Sequence, residues 1–341
     1  MRVTISILKW LGIGLLALLV MGAVYQQVGA ALDAGLAPPQ SEMVSVDGHK
    51  MHLSCMGQGP RTFVLDAGAG AGTFEWWRLQ PRLAKAGRAC AFDRSGLGWS
   101  DSLGGAHDAA SSADELAALV KAAGIATPFV YVGHSLGANN GIVYRDKYPH
   151  DVSALVLIEP GNPKDLLEDF HGSRADAFRR SDCAWMCRLA SVAGYLGIPR
   201  LAAQFFVAPG KNLYGRAFSQ YRATLGRPSE AAAFVSSYLD ALPRTAYEEL
   251  DVHSLGDTPV LVFASSDPLP GDDEFKSASD YTNWRKQQHA YLASLAAMSA
   301  HGEGPVVIPN SNHSSMVMGA PQSAFMARTI VSFVSNGASA R

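Results

Sequence analysis

The chain is short of charge, and what charge it carries is balanced. Only 17% of its 341 residues are charged, and 28 basic side chains against 30 acidic ones leave a net charge of −2. No basic patch or single-sign run stands out, which argues against nucleic acid as a partner. Cysteine is scarce as well. There are four, none in C-x-x-C spacing, and no histidine cluster completes a zinc site, so no metal is expected. The Gly-rich stretch 66–72 lacks both the G-x-G-x-x-G and the G-x-x-x-x-G-K-[ST] spacing, so nucleotide binding is not expected and no cofactor is implied. Internal repeats and low-complexity tracts are missing too.

The one long apolar run is N-terminal. Residues 10–25 are uninterrupted apolar sequence, preceded by Arg2 and Lys9 with no acid between them. A cleaved signal peptide would place small residues such as Val28-Gly29-Ala30 near its cut site. An uncleaved anchor needs about 20 residues, which 5–31 supplies if Lys9 snorkels. The anchor is the preferred reading, because the cleavage site is not clean. Either reading leaves the positive end inside and the body of the protein outside the cytoplasm, periplasmic or extracellular. The four cysteines agree with an oxidising compartment.

Past a Gly/Pro-containing linker (32–42), short apolar runs alternate with helical patterns. A hairpin is predicted around Asp47-Gly48, joining 43–46 to 50–55. Further strands are predicted at 62–65, 89–92, 129–132, 154–158, 260–264 and 306–308, with helical patterns at 76–86, 138–148, 281–300 and 329–334. Ser112-Ala113-Asp114-Glu115 has the form of a capping box that opens a helix ending before Gly124. Such alternation predicts an α/β fold with a mostly parallel sheet flanked by helices. Residues 160–250 break the rhythm and read as a helical cap, or lid, inserted between strands of a core formed by 43–159 and 251–341.

Chemistry concentrates at Gly133-His134-Ser135-Leu136-Gly137, the only G-x-S-x-G of the chain. It follows a strand pattern and precedes a helical one, which is the context of a nucleophile elbow. A serine hydroxyl is a poor nucleophile unless it is held out and paired with a base. His313, in the loop after the last strand, is the leading base. His134 beside the serine is expected to pack against the elbow, and His49, His52, His107, His289 and His301 have weaker cases. The base needs an orienting acid. Asp267, after the strand 260–264, is preferred; Glu159, after the strand 154–158, is the alternative, with Asp272 and Asp273 behind them. The oxyanion donors are expected to be the backbone N–H groups of Leu136, one past the serine, and Ala69, in the Gly-rich loop.

Together these motifs resemble the α/β-hydrolase superfamily in its serine esterase and lipase-like branch, over roughly residues 43–335. Phe92-Asp93-Arg94-Ser95-Gly96 looks like the turn after the fourth strand of many members, where Asp93 and Arg94 would build the wall beside the elbow. Ala67-Gly68 stands where many members have His-Gly, so a branch of membrane-anchored or secreted members is closer. The resemblance implies a small-molecule ester as substrate. It also makes the second and fourth strands neighbours, which implies that Cys55 and Cys90 lie close, with a disulfide as the expectation. Cys183 and Cys187, one helical turn apart, are a second candidate pair. Epoxide hydrolases and haloalkane dehalogenases share the fold but use an Asp where Ser135 stands. A peptidase or haloperoxidase-like activity would use the same triad, and a catalytically silent binding protein is the alternative of a different class.

Overall fold

The computed structural model describes residues 2–37, 41–103, 107–168, 173–174, 177, 184–206, 215–266 and 278–339. Its centre is an eight-stranded sheet in the order β1-β2-β4-β3-β5-β6-β7-β8. The strands are β1 (Ser41–Val46), β2 (His49–Met56), β3 (Thr62–Asp66), β4 (Arg88–Phe92), β5 (Phe129–His134), β6 (Val152–Ile158), β7 (Val260–Ser265) and β8 (Gly302–Ile308). β1 and β2 form an antiparallel hairpin in which Val46 faces His49, and β2 runs antiparallel to β4. From β4 onward neighbouring strands are parallel. Asp47 (φ 47°) and Gly48 (φ 86°) give the hairpin two consecutive left-handed residues, which suits a tight turn between twisted strands.

Strand periodicity of two splits the core between the sheet's faces. Phe63, Leu65, Val130, Val132, Leu261 and Phe263 pack on one face with Trp76, Leu79 and Ile330. Val64, Tyr131, Leu155, Leu157, Val260 and Val262 pack on the other, under Leu116, Leu119 and Ile142. Cys55 and Cys90 sit directly opposite on β2 and β4 and are disulfide-bonded, as the resemblance implied. Cys187 is also disulfide-bonded, while Cys183 lies outside the described residues.

Several local expectations need correction. The helix α1 (Arg2–Asp33) runs past residue 31 into the stretch read as linker. Residues 76–86 are not one helix: a 3-10 turn (Thr73–Trp76) precedes a four-residue helix, α2 (Gln80–Leu83). Pro81 stands in the first turn of α2, where its missing N–H is harmless, and its ring blocks helix on its N-terminal side. The capping box does not form either. α3 (Ala109–Ala122) starts four residues earlier, with Asp108 rather than Ser112 as N-cap, accepting the Ser111 N–H at 3.0 Å. Glu115 instead accepts the Ser95 N–H.

β5 leads directly into α4 (Leu136–Lys147). Between β6 and β7 the described elements are all helical. They include α5 (Pro163–Glu168), α6 (Ala184–Tyr195), α7 (Ile198–Phe206), α8 (Phe218–Leu225) and α9 (Pro228–Ser236), which passes through a π-turn (Ser237–Ala241) into α10 (Leu242–Leu250). α11 (Ala278–Ala297) precedes β8, and α12 (Ser315–Met318) and α13 (Ala320–Ser339) close the chain. Successive strands step left from β3 to β4 and right from β3 to β5, so the topology switches beside β3. Ligands of open α/β sheets bind outside the carboxyl ends of strands at such a switch.

Candidate active site

Ser135 occupies the tight turn between β5 and α4, with φ 52° and ψ −124°. A non-glycine residue held at positive φ is strained, and such strain is tolerated where surrounding packing over-determines it. Here the Ser135 N–H donates to the Ile158 carbonyl at 2.9 Å, and its own carbonyl accepts from Ala138 and Asn139. The flanking glycines have steric reasons. A Cβ on Gly133 would lie 2.3 Å from the Gly137 oxygen, and one on Gly137 would lie 2.2 Å from the Asp66 oxygen. Strand, helix and the end of β3 therefore approach at distances that only glycine permits.

His313 follows β8 in a loop pinned to the end of β7. Ser266 N–H donates to the Ser311 carbonyl at 3.1 Å, and Ser311 N–H donates to the Ser266 hydroxyl at 2.9 Å. The His313 Nδ1–H donates to Glu159 Oε2 at 2.9 Å. Glu159 caps β6 at φ 45°, and its Oε1 accepts both the backbone N–H (2.8 Å) and the hydroxyl (2.5 Å) of Ser265. Burial by itself would raise the Glu159 carboxyl, but the His313 contact and the Ser265 donors hold it below the ordinary carboxylate range. Nδ1 is thus committed as a donor, and Nε2 remains as the basic nitrogen. About a quarter of the His313 side chain, 27%, stays open to solvent, so the imidazole is reachable. Asp267, Asp272 and Asp273 lie outside the described residues.

His134 does more than pack. Its Nδ1 bonds to Glu75 Oε1 at 2.8 Å and its Nε2 to the His313 carbonyl at 3.0 Å. Both partners are acceptors, which makes the ring a doubly protonated imidazolium. Burial opposes that charge, yet Glu75 and the His313 carbonyl raise the His134 pKa above its ordinary value. In the same way burial pushes Glu75 up, and His134 with the Gly68 N–H pulls it below the carboxylate range. The two histidine rings lie 4.6 Å apart between centroids. Glu75 escaped the sequence reading because nothing in a single sequence links it to a histidine 59 positions away.

The Gly-rich loop is set by buried charge. Arg94 pairs with Asp66 and donates to the carbonyls of Ala67 and Gly68, each at 2.5 Å. Asp66 also accepts the Tyr131 hydroxyl at 2.7 Å. In a trans peptide C=O and N–H point in opposite directions, so turning the Gly68 carbonyl to Arg94 turns the Ala69 N–H away from it. The Gly68 N–H is occupied by Glu75 at 2.9 Å. Neither the Ala69 N–H nor the Leu136 N–H donates to an acceptor among the described residues. A Cβ placed on Gly68 would lie 3.4 Å from the Ser135 Cβ, which puts this loop against the serine. Asp93, the other predicted wall residue, is fully buried and accepts from His52, Thr73 and Trp99.

A parallel α/β sheet with a serine elbow after β5 and a histidine loop after β8 defines an α/β-hydrolase. The sequence profile of the alpha/beta hydrolase family matches residues 63–328, and the chain belongs to that family. It is 25% identical over 173 residues to the uncharacterized protein YbdG of Bacillus subtilis, covering 49% of this chain and 53% of YbdG. The chain spans about half the length, or less, of the curated relatives it matches. Among solved structures, the epoxide hydrolase CorEH is 19% identical, with a TM-score of 0.61 over 87% of this chain and 98% of that one. A thermophilic esterase from Thermogutta terrifontis is 17% identical, with a TM-score of 0.55 over 86% and 99%. At these identities the likeness is one of fold.

Proposed function

We propose that the chain is a serine hydrolase that cleaves a carboxylic ester through an acyl-enzyme on Ser135. His313 takes the hydroxyl proton on Nε2 as the oxygen attacks the carbonyl. It then protonates the leaving alcohol, and water repeats the sequence to release the acid. We assign the orienting role to Glu159 rather than Asp267. The Ala69 and Leu136 N–H groups bind the oxyanion. The helices of 160–250 form the cap, and α1 is the membrane anchor that holds the catalytic body outside the cytoplasm.

The observation that carries this reading is the bond from the His313 Nδ1–H to the Glu159 carboxylate, beside a serine held at positive φ. In the neutral ring, a proton held on Nδ1 leaves Nε2 to accept one, the tautomer a general base requires. The epoxide-hydrolase likeness adds a fold but not that chemistry, since a serine stands at the elbow. The test is hydrolysis of p-nitrophenyl esters from acetate to palmitate, beside Ser135→Ala. Turnover that vanishes in the variant supports the reading. A folded protein with no ester turnover and no fluorophosphonate labelling of Ser135 would sink it.

A further inference from the structure

α1 does not stand apart from the rest of the molecule. Its last three turns lie on the helical insertion between β6 and β7. A Cβ on Gly22 would meet the Leu196 carbonyl at 2.7 Å, and one on Gly197 would meet the Tyr25 ring at 2.8 Å. The seam is polar and specific. Gln26, buried, donates to the Gly226 carbonyl at 2.6 Å and accepts from Arg200 at 3.0 Å. Arg200 also pairs with Asp33, and Gln204 donates to the Tyr25 hydroxyl at 2.6 Å.

This seam fixes a depth. A helix crosses the hydrocarbon layer with about 20 residues. Counted from residue 5, the crossing ends near Tyr25, so Gly22 lies within its last turn. The turn that Gly22 and Tyr25 touch, Leu196-Gly197, joins α6 to α7. These helices carry an apolar face that none of the described residues covers. Trp185, Leu189, Val192 and Tyr195 recur at helical spacing on α6, and Ile198, Leu201 and Phe205 on α7, each between 51% and 71% exposed. Neither helix contains an acidic residue, and Arg188 is exposed on α6. Trp and Tyr with a basic residue and no acid is the composition that settles at a lipid headgroup boundary.

The opposite faces of the same two helices line a cavity of about 570 Å³, walled by Ala190, Ala193, Ala202, Ala203, Leu225 and Phe234 among others. A volume of that order holds a small organic ligand. Phe234 separates the cavity from the Gly-rich loop: a Cβ on Gly70 would lie 2.3 Å from its ring.

We propose that the exposed face of α6 and α7 rests in the headgroup–acyl boundary of the bilayer that α1 crosses, and that the cavity behind them receives the acyl chain of a membrane-borne ester. The docking rests on α1 being a retained anchor, and the acyl assignment rests on the ester-hydrolase reading. Continuity with α1 and the depth of Leu196-Gly197 favour a lipid surface over a second copy of the chain.

The test uses the full chain in phosphatidylcholine–phosphatidylglycerol vesicles, with and without brominated acyl chains, for wild type, Trp10→Phe and Trp185→Phe. Trp10 reports the anchor and Trp185 the docked face. The expected result is that each variant loses a component of bromine-quenched fluorescence. Quenching of Trp10 without Trp185 overturns the docking and leaves the anchor standing. Quenching of neither removes both. Quenching of Trp185 alone retires the anchor and overturns the docking that rests on it. A Leu189→Glu/Phe205→Glu variant is then expected to keep wild-type turnover of p-nitrophenyl acetate and to lose at least about tenfold on a long-chain ester embedded in the vesicles. Equal turnover of that ester by the variant and the wild type overturns the acyl route. Absence of turnover on any ester fails the hydrolase reading while the quenching result stands.

Discussion

Replacing Glu159 by Gln tests the assignment of the acid most directly, because the geometry predicts a tautomer as well as a loss. The carboxylate serves three donors: Oε1 takes the N–H and hydroxyl of Ser265, and Oε2 takes the His313 Nδ1–H. A Gln amide has one oxygen and one NH2 group. Turning the oxygen to Ser265 preserves two hydrogen bonds; turning it to His313 preserves one. At about 1 kcal/mol net per hydrogen bond, the first arrangement is favoured several-fold. The NH2 group then faces Nδ1, which must give up its proton and become an acceptor. His313 is left with its proton on Nε2, where it cannot receive one from Ser135. A base locked in the wrong tautomer costs roughly 10⁴ in kcat, about 5.5 kcal/mol of barrier. The assay is p-nitrophenyl ester hydrolysis by wild type, Glu159→Gln and Asp267→Asn, with circular dichroism to establish folding. A Glu159→Gln enzyme that keeps more than about a tenth of its kcat, beside an Asp267→Asn enzyme that collapses, would refute the assignment.

Three further outcomes follow from buried groups. Glu75→Gln strands the His134 charge and is expected to cost about 3 kcal/mol in urea unfolding near neutral pH. Because the Glu75 pKa is lowered in the fold, that difference shrinks as the pH falls below about 4.5; a variant as stable as wild type at pH 7 would remove the ion pair from the account. Gly137→Ala drives a Cβ into the Asp66 and Ala67 carbonyls; it is expected to destabilise by about 3 kcal/mol or more and to abolish fluorophosphonate labelling, and an active, wild-type-stable variant would contradict the packing argument. Glu230 is buried, with Oε1 unpartnered among the described residues, and burial pushes its carboxyl up to about 8. A raised acid withholds stability as pH climbs from its ordinary value of 4.5 through 8. Glu230→Gln should therefore raise the unfolding temperature at pH 9 and leave it unchanged at pH 4, and identical shifts at both would count against the cause given.

The elements that sequence revealed are those whose causes are local. The strands of a buried parallel sheet are continuous apolar runs, and Gly133 and Gly137 are demanded by contacts that the G-x-S-x-G spacing encodes. The start of α3 departs from the capping-box expectation because two capping signals overlap there. Asp108 and Ser112 both stand three residues before a plausible partner, and Glu115 was drawn away to Ser95 by a contact the local pattern does not contain. The acid stayed ambiguous for a related reason. Glu159 and Asp267 both follow strands that end beside the histidine loop, and choosing between them depends on a left-handed backbone at Glu159 that no propensity signals.

His313 is held from two sides by two different carboxylates, and the division of labour has a mechanical consequence. Glu159 grips the ring through Nδ1, while Glu75 acts through His134, whose Nε2–H holds the His313 backbone carbonyl. In the proposed triad one acid sets which nitrogen is basic; the other, through an intermediate cation, sets where the loop that carries it lies. The second grip originates in the 3-10 turn after the Gly-rich loop, whose Gly68 N–H the same Glu75 accepts. The loop proposed to bind the oxyanion and the loop proposed to carry the base are therefore tied to one buried carboxylate. Rigid pairing of this kind keeps donors and base in register without rearrangement at the moment of reaction, which is the condition under which preorganised dipoles lower a barrier most.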